Sequence, residues 1–171
     1  YGSLRRQGVF YEEVPLTEGG KIDTPAVIKA LLDTEAAMVY FQRSRGYSWR
    51  NAFLPETDLA PVFRAVREAK PDCLIVVDNC YGEFVEELEP TEIGADLMAG
   101  SLIKNPGGGL AKIGGYIAGR ADLVEKCAYR MTSPGIGAEA GATLNTLADF
   151  YQGFFMAPHT VAQSLKGAIF T

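Results

Sequence analysis

Apolar and polar positions follow one another along the chain in a way that predicts strands and helices in turn. Continuous apolar runs at residues 36–42 and 73–77 are typical of strands that are buried on both faces of a parallel sheet. Between them, residues 57–69 carry apolar side chains at the spacing of one helix face, and a proline follows. Short apolar runs at residues 97–99 and 114–118 predict two more strands. The order strand, helix, strand predicts an α/β fold.

Weaker patterns predict elements towards both ends of the chain. Residues 9–14 predict a strand, and Thr24 with Pro25 predicts the start of a helix, because threonine caps helices and proline fits their first turn. Three later helices are predicted at residues 122–131, at residues 138–155 and from Pro158 to the end. We therefore expect a mainly parallel sheet with helices on both faces. Neither a linker nor a repeat divides the sequence, so residues 1–171 are expected to form one domain.

Composition narrows the class of protein. The 171 residues, of which 47% are hydrophobic and 22% charged, suffice for one domain with a sizeable core. The net charge of −5, without a cluster of basic and aromatic residues, argues against nucleic-acid binding, and the apolar runs are too short to cross a membrane. A single histidine, His159, and the lack of a Cys-x-x-Cys pair predict no metal site. The three cysteines, Cys73, Cys80 and Cys127, are odd in number and widely spaced. They therefore predict reduced thiols in a cytoplasmic protein and no disulfide framework.

Two ionisable side chains follow the ends of predicted strands. Asp78 ends one apolar strand, and Lys104 follows the small and apolar residues 99–103. Ligands of α/β sheets bind beyond the carboxyl ends of the strands. A lysine that forms an imine with an aldehyde, and a carboxylate that keeps a pyridine nitrogen protonated, are what pyridoxal phosphate requires. We therefore predict this cofactor, with Lys104 as the catalytic residue, and expect burial to lower the pKa of the Lys104 amine.

Each of these residues also has a simpler interpretation. Asp78 alone would most simply cap the following turn, and Lys104 alone would be a surface lysine in a glycine-rich loop. Lys112 competes for the imine, but it lies beyond the glycine turn, so we rank it below Lys104. Residues 107–109 suggest a phosphate loop, but their spacing does not match one. We interpret them as a flexible turn that lets the backbone approach a ligand or a partner subunit.

Three residues near Asp78 and Lys104 are candidate contacts of the same cofactor. Ser101 can offer its hydroxyl to a phosphate, although a serine at a strand end can bond its own backbone instead. Tyr81 can donate to the cofactor or the substrate, or simply pack as an aromatic. Asn79, next to Asp78 in the sequence, is the third candidate. The glutamates that follow are interpreted as a solvated face: Glu83, Glu86, Glu87 and Glu89.

The loop at residues 42–49 brings arginines and aromatics to the end of the first buried strand. Arg43 or Arg45 can pair with an anion, and Tyr47 can shape a pocket, so these three are candidate substrate-binding residues. The alternative is that both arginines are solvated and that Trp49 packs under the loop. We favour the first interpretation for the loop without choosing among its residues.

Four segments together resemble the methionine γ-lyase-like family, whose members are also called aluminium-resistance proteins or cystathionine β-lyase-like proteins. The segments are residues 42–49, 76–87, 100–109 and 134–137. The resemblance implies the aspartate-aminotransferase-like fold, in which the chain would be part of the large domain of a fold-type I pyridoxal phosphate enzyme.

The same resemblance implies roles for particular residues. Lys104 would carry the imine and shuttle a proton, Asp78 would pair with the pyridinium, and Ser101 would contact the phosphate. The implied reaction is carbon–sulfur lysis of a small sulfur amino acid, in a homodimer or homotetramer with sites across the interface.

Members of this family are longer than the chain, which begins at Tyr1 rather than methionine, so we expect it to be a piece of a longer protein. The family's N-terminal segment would supply the main phosphate cradle and an aromatic stacked on the ring. Its small C-terminal domain would supply the arginine for the substrate carboxylate. Alternatives stay open: an aminotransferase, aldolase or desulfurase-like activity on the same fold, a non-catalytic scaffold of that fold, or a nucleotide-phosphate binder.

Overall fold

The structure is a computed structural model that describes residues 3–132, 135–139, 141, 143 and 145–171. Its strands in the described ranges are β1 (Met38–Gln42), β2 (Leu74–Asp78), β3 (Leu97–Ser101) and β4 (Gly115–Gly119). Its α-helices there are α1 (Thr24–Thr34), α2 (Ala60–Ala69), α3 (Ala121–Met131) and α4 (Leu147–Phe170).

The four strands form one sheet in the order β1-β2-β3-β4. The first three run parallel, while β4 is antiparallel to β3. The connection from β1 to β2 passes through α2, whereas residues 79–96 join β2 to β3 by a series of turns. Parallel strands place their carboxyl ends at one edge of the sheet. The predicted α/β class with a mainly parallel sheet is confirmed.

The hydrophobic core lies between one face of the sheet and the helices α1 and α2. Val27 and Leu31 of α1 pack there with Phe41 of β1 and with Ile75 and Val77 of β2. Because successive side chains of a strand point to opposite faces, the neighbours of these strand residues point away from the helices. We call that opposite side the open face.

The open face is only partly covered. Met38 and Tyr40 of β1 lie on it and are 49% and 58% exposed. Asp78 of β2 lies on it too, because it pairs in register with Gln42, two residues after Tyr40. The sheet thus separates a packed helical side from a side on which polar groups are accessible.

The N-terminal cap of helix α1 lies one residue earlier than the sequence predicts. Its cap is Asp23, whose carboxylate accepts a hydrogen bond from the Ala26 N–H at 3.0 Å, so Thr24 and Pro25 are already helical. A wide helical turn, Pro55–Leu59, leads into α2.

Two predicted elements differ from the structure. Residues 9–14 form no strand, and Phe10 is among the most exposed residues, because no neighbouring strand in the described ranges pairs with this segment. The two helices predicted around Pro158 are one helix, α4, which continues through the proline. Buried Ala157 and Val161 hold that helix on either side of the missing N–H.

Part of the predicted 138–155 helix, at residues 140, 142 and 144, lies outside the described residues, as does Pro134. In the part that the structure describes, no helix is both long and apolar enough to cross a membrane. The described residues likewise contain no cluster of three or more histidines, cysteines or carboxylates that could hold a metal ion.

Candidate active site

Asp78 and Ser101 lie at the carboxyl ends of two neighbouring parallel strands. Asp78 pairs in register with Ala99 of β3, and Ser101 follows two residues later on the same face. The N–H of Asn79 donates to the Ala99 carbonyl at 2.8 Å and extends the pairing past the end of β2. Both side chains therefore belong to the open face at one edge of the sheet.

The Asp78 carboxylate accepts hydrogen bonds on both of its oxygens. The backbone N–H of Cys80 donates to Oδ1 at 3.0 Å, and the Tyr40 hydroxyl donates to Oδ2 at 3.4 Å. The first contact is the turn cap that the simpler interpretation expected. The second belongs to the open face, so one carboxylate combines the structural role with accessibility to a ligand.

Lys104 lies in a tight turn directly after β3. Its backbone N–H donates to the Ser101 carbonyl at 3.2 Å, and its Nζ lies 4.7 Å from the centroid of the Tyr81 ring, a cation–π contact. Tyr81 has a φ of +67°, the left-handed region that non-glycine residues seldom adopt. This backbone conformation turns the chain after Cys80 and places the Tyr81 ring beside the ammonium.

The pKa of Lys104 differs from the prediction. Burial lowers it, but the neighbouring Cys80, Tyr81 and Asp78 raise it by more, so the pKa lies above that of an ordinary lysine. The expected low pKa is therefore wrong for this structure, because Lys104 is only half-buried and the Asp78 carboxylate and the side chains of Cys80 and Tyr81 favour its charged form. The competing Lys112 is exposed, in the segment that precedes β4.

Cys80 belongs to the same group of side chains. Burial raises the pKa of its thiol, and the hydrogen bond and charge of Asp78 raise it further, while Lys104 lowers it. The net direction is upward, so the thiol stays protonated near neutral pH. Cys80 is accordingly a neutral neighbour of Asp78 and Lys104, and not an activated nucleophile.

Asn79 points away from the open face. Its side chain is fully buried, its Oδ1 accepts from Arg43 at 2.8 Å, and its Nδ2 donates to Glu89 at 2.8 Å and to the Tyr116 hydroxyl at 3.3 Å. The predicted cofactor contact by the Asn79 side chain does not match this placement, because consecutive residues at a strand end face opposite sides of the sheet.

Arg43 is also occupied inside the protein. It is 2% exposed, and its guanidinium donates to Asn79, to Glu89 at 3.3 Å and to the Phe53 carbonyl at 3.3 Å. Burial lowers its pKa, while Glu89 and other nearby acids oppose that change. The structure thus gives Arg43 a structural role in place of the predicted substrate contact.

Glu83 completes a buried polar cluster with these residues. Its Oε1 accepts from the Tyr116 hydroxyl at 2.7 Å, and its backbone carbonyl accepts from the side chain of Asn105, the neighbour of Lys104, at 2.9 Å. Burial raises the pKa of its carboxyl. The interpretation of Glu83 as part of a solvated face is therefore wrong. We use the name buried polar cluster for Arg43, Asn79, Glu83, Glu89 and Tyr116.

The rest of the 42–49 loop is exposed beside a cavity. Arg45 lines a cavity of about 300 Å³ together with Gly46, Phe53 and Tyr81. Tyr47 and Trp49 project into solvent, so Trp49 does not pack under the loop as the alternative interpretation expected. Arg45 is consequently the loop arginine that is accessible next to the Asp78 and Lys104 region.

The glycine run after Lys104 serves helix packing. A Cβ on Gly108 would collide with the backbone of Gly153 in α4, and a Cβ on Gly153 would collide with the backbone of Gly107. The turn that contains Gly107 therefore docks α4 through direct backbone contact. The interpretation of a flexible turn that approaches a ligand is replaced by a close approach between two parts of the chain.

The chain is similar to several known proteins along most of its length. The family model described as methionine gamma-lyase matches residues 1–171. An uncharacterised protein of Bacillus subtilis, YnbB, is 57% identical over 99% of this chain and 40% of its own length. A Listeria innocua crystal structure described as a "putative cystathionine beta-lyase involved in aluminum resistance" is 56% identical, with a TM-score of 0.90 over 95% of this chain and 39% of its own.

More distant structures share the fold alone. A pyridoxal-5'-phosphate dependent Escherichia coli protein, YhfS, is 20% identical with a TM-score of 0.52 over 81% of this chain and 35% of its own. An aspartate aminotransferase of Thermus thermophilus is 17% identical with a TM-score of 0.54 over 94% and 44%.

The chain spans about 40% of the length of the Bacillus subtilis and Listeria innocua relatives. Its fold is that of part of the large domain of the fold-type I pyridoxal phosphate enzymes. Since the family model matches every residue of the sequence, the chain belongs to the methionine gamma-lyase family.

Proposed function

We propose that the full-length protein is a pyridoxal phosphate-dependent carbon–sulfur lyase acting on a sulfur amino acid, with Lys104 as its catalytic residue. One observation carries the proposal: Asp78 ends β2 and Lys104 lies in the turn directly after the neighbouring parallel strand β3, so both side chains belong to the same carboxyl edge of the sheet. Membership of the methionine gamma-lyase family and the name of the Listeria innocua relative support the choice of reaction.

The donor set fits the proposed cofactor. A primary amine, a carboxylate and a hydroxyl are the groups that would meet its aldehyde, ring nitrogen and phosphate, and Lys104, Asp78 and Ser101 bring all three to one edge. Asp78 keeps acceptor capacity beyond the Cys80 N–H, the Cys80 thiol and the Tyr40 hydroxyl, because each carboxylate oxygen can accept two hydrogen bonds. Asn79 and Arg43 are not in the proposed set, since internal partners occupy both.

When bound, pyridoxal phosphate supplies an electron sink for negative charge that develops on the substrate. The residues of the chain prepare this chemistry. Asp78 would favour a protonated ring nitrogen by charge pairing, and Ser101 would donate its hydroxyl to a phosphate oxygen. Tyr81, beside the Lys104 ammonium, would help to keep that amine in place.

Lys104 would hold and move a proton at its Nζ. Because the pKa of Lys104 is raised here, the amine carries a proton near neutral pH and must lose it before it can act as a base or nucleophile. Arg45, which lines the neighbouring cavity, would attract an anionic group of the substrate. An oligomer of two or four copies and a cytoplasmic location remain parts of the proposal.

The test is a turnover screen of the purified full-length protein. We expect a visible absorbance band that borohydride bleaches, and release of an α-keto acid from methionine, cystathionine or cysteine. If none of these substrates released an α-keto acid, but the protein transferred an amino group to a keto acid, the activity would be that of an aminotransferase and not of a lyase. A protein without the band, even after incubation with pyridoxal phosphate, would contradict the cofactor and return the fold to a scaffold role.

A further inference from the structure

Tyr40 occupies the strand next to Asp78, on the same face of the sheet. Strand β1 pairs with β2 so that Gln42 is opposite Asp78, and Tyr40 precedes Gln42 by two residues. Two residues along a strand return the side chain to the same face, so Tyr40 is the diagonal neighbour of Asp78 on the open face. An aromatic side chain is long enough to span that diagonal.

The Tyr40 hydroxyl uses this position to contact the carboxylate. It donates to Asp78 Oδ2 at 3.4 Å, while the Cys80 N–H donates to Oδ1. The two donors approach different oxygens, one from the neighbouring strand and one from the following turn. Together they restrict rotation of the carboxylate about its terminal bond, which a single donor would leave free.

The hydroxyl remains a donor at ordinary pH. Burial raises the pKa of Tyr40, and the charge of Asp78 and the hydrogen bond to it raise that pKa further. A phenol is a weaker acid than usual in this setting, so it keeps its proton and cannot repel the carboxylate. Phenylalanine would fill the same space on the open face without a hydroxyl. Packing alone therefore does not account for a tyrosine at this position.

We infer that Tyr40 is a positioning residue that orients the Asp78 carboxylate towards the ring nitrogen of the cofactor. The inference rests on the proposed function, because it needs Asp78 to bind that ring. It adds a residue from a strand that supplies none of the predicted cofactor contacts.

The test titrates pyridoxal phosphate into the full-length protein after bound cofactor has been removed, with visible absorbance as the readout. We expect Tyr40→Phe to raise the dissociation constant about three- to tenfold, the size of one hydrogen bond to a partly exposed charge. Tyr129→Phe removes another half-exposed hydroxyl, on α3, and should leave the constant unchanged. The melting temperature of the cofactor-free protein should be the same in both variants, because both substitutions keep the ring.

A second comparison separates positioning from a general structural effect. In an Asp78→Ala background, Tyr40→Phe should alter the dissociation constant less than twofold, because the group through which Tyr40 acts is gone. An equal increase in that background, or an unchanged constant in the single variant, overturns the inference. A wild-type protein that binds no pyridoxal phosphate overturns the proposed function as well, whereas equal binding by the wild-type protein and Tyr40→Phe removes only the role of Tyr40.

Discussion

The Glu83 carboxyl accepts a 2.7 Å hydrogen bond from the Tyr116 hydroxyl inside the protein, while its second oxygen is buried without a partner in the described part of the chain. An ionised carboxylate would leave that oxygen charged and unsolvated. A protonated carboxyl costs less, in agreement with the raised pKa that burial gives Glu83.

This arrangement predicts how Glu83 affects stability with pH. An acid whose pKa is higher in the folded protein than in the unfolded chain binds its proton more tightly when folded. The contribution of Glu83 is therefore fully present below the ordinary glutamate pKa and declines as pH rises through and above that value. Arg43, Glu89, Glu86 and Tyr116 are the charged or titratable groups whose fields reach Glu83 or its partners.

Glu83→Gln should accordingly become more stable relative to the wild-type protein as pH rises. We expect little difference at about pH 4 and a gain of about 1 kcal/mol in the free energy of unfolding at about pH 8, because the amide stays neutral. Denaturant unfolding of both full-length proteins at several pH values measures this difference in the free energy of unfolding. Exposed Glu87, changed to Gln, is the matched control and should show no such trend. If Glu83→Gln instead became less stable relative to the wild-type protein as pH rises, the Glu83 carboxyl would be ionised in the folded protein.

Tyr116→Phe tests the other half of the same contact. The substitution removes the donor to Glu83 and the acceptor for the Asn79 side chain, which leaves polar groups buried without partners. We expect a loss of about 1–3 kcal/mol in the free energy of unfolding. Tyr129→Phe, on α3, is the control for removal of a hydroxyl and should change stability little. Equal stability of the two variants would mean that Asn79 and Glu83 find other partners.

Much of the fold could be predicted from apolar periodicity. The four strands begin and end within two residues of the predicted apolar runs. The expectation that the runs are buried on both faces is wrong for β1, because its side chains on the open face are exposed. The carboxyl edge that holds Asp78 and Lys104 followed from that topology. The strand predicted at residues 9–14 is wrong because a strand also needs a partner strand. The apolar pattern of one segment contains no information about such a partner.

The site was harder to predict because it depends on which face each side chain takes. Asp78 and Asn79 are adjacent in sequence, yet one reaches the open face and the other the buried polar cluster. Arg43 is buried because it meets Glu89, a residue 46 positions later in the chain. Such pairings depend on tertiary register. Gly82 and Gly100 are the two glycines beside this cluster: a Cβ on Gly82 would collide with Arg43, and a Cβ on Gly100 would collide with Glu83. No spacing in the sequence identifies those neighbours.

Lys104→Ala should abolish the visible band that borohydride bleaches, because the amine proposed to bind the cofactor aldehyde is removed. Lys112→Ala, which changes an exposed lysine eight residues later, should keep the full band and most of the turnover. Absorbance spectra before and after borohydride, recorded at equal protein concentration, decide between the two lysines. A full band in Lys104→Ala together with its loss in Lys112→Ala would transfer the role to Lys112.

Two glycines of α4 should respond in opposite directions to the same substitution. A Cβ on Gly153 would meet the Gly107 carbonyl, which is backbone and cannot swing aside, whereas a Cβ on Gly167 has nothing within 4 Å. We expect Gly153→Ala to lower the free energy of unfolding by about 1–3 kcal/mol through overpacking. Gly167→Ala should raise it by up to about 1 kcal/mol, because alanine favours the helix. Denaturant unfolding of the full-length protein measures both. Stabilisation by both substitutions would show that α4 does not dock on the turn after Lys104.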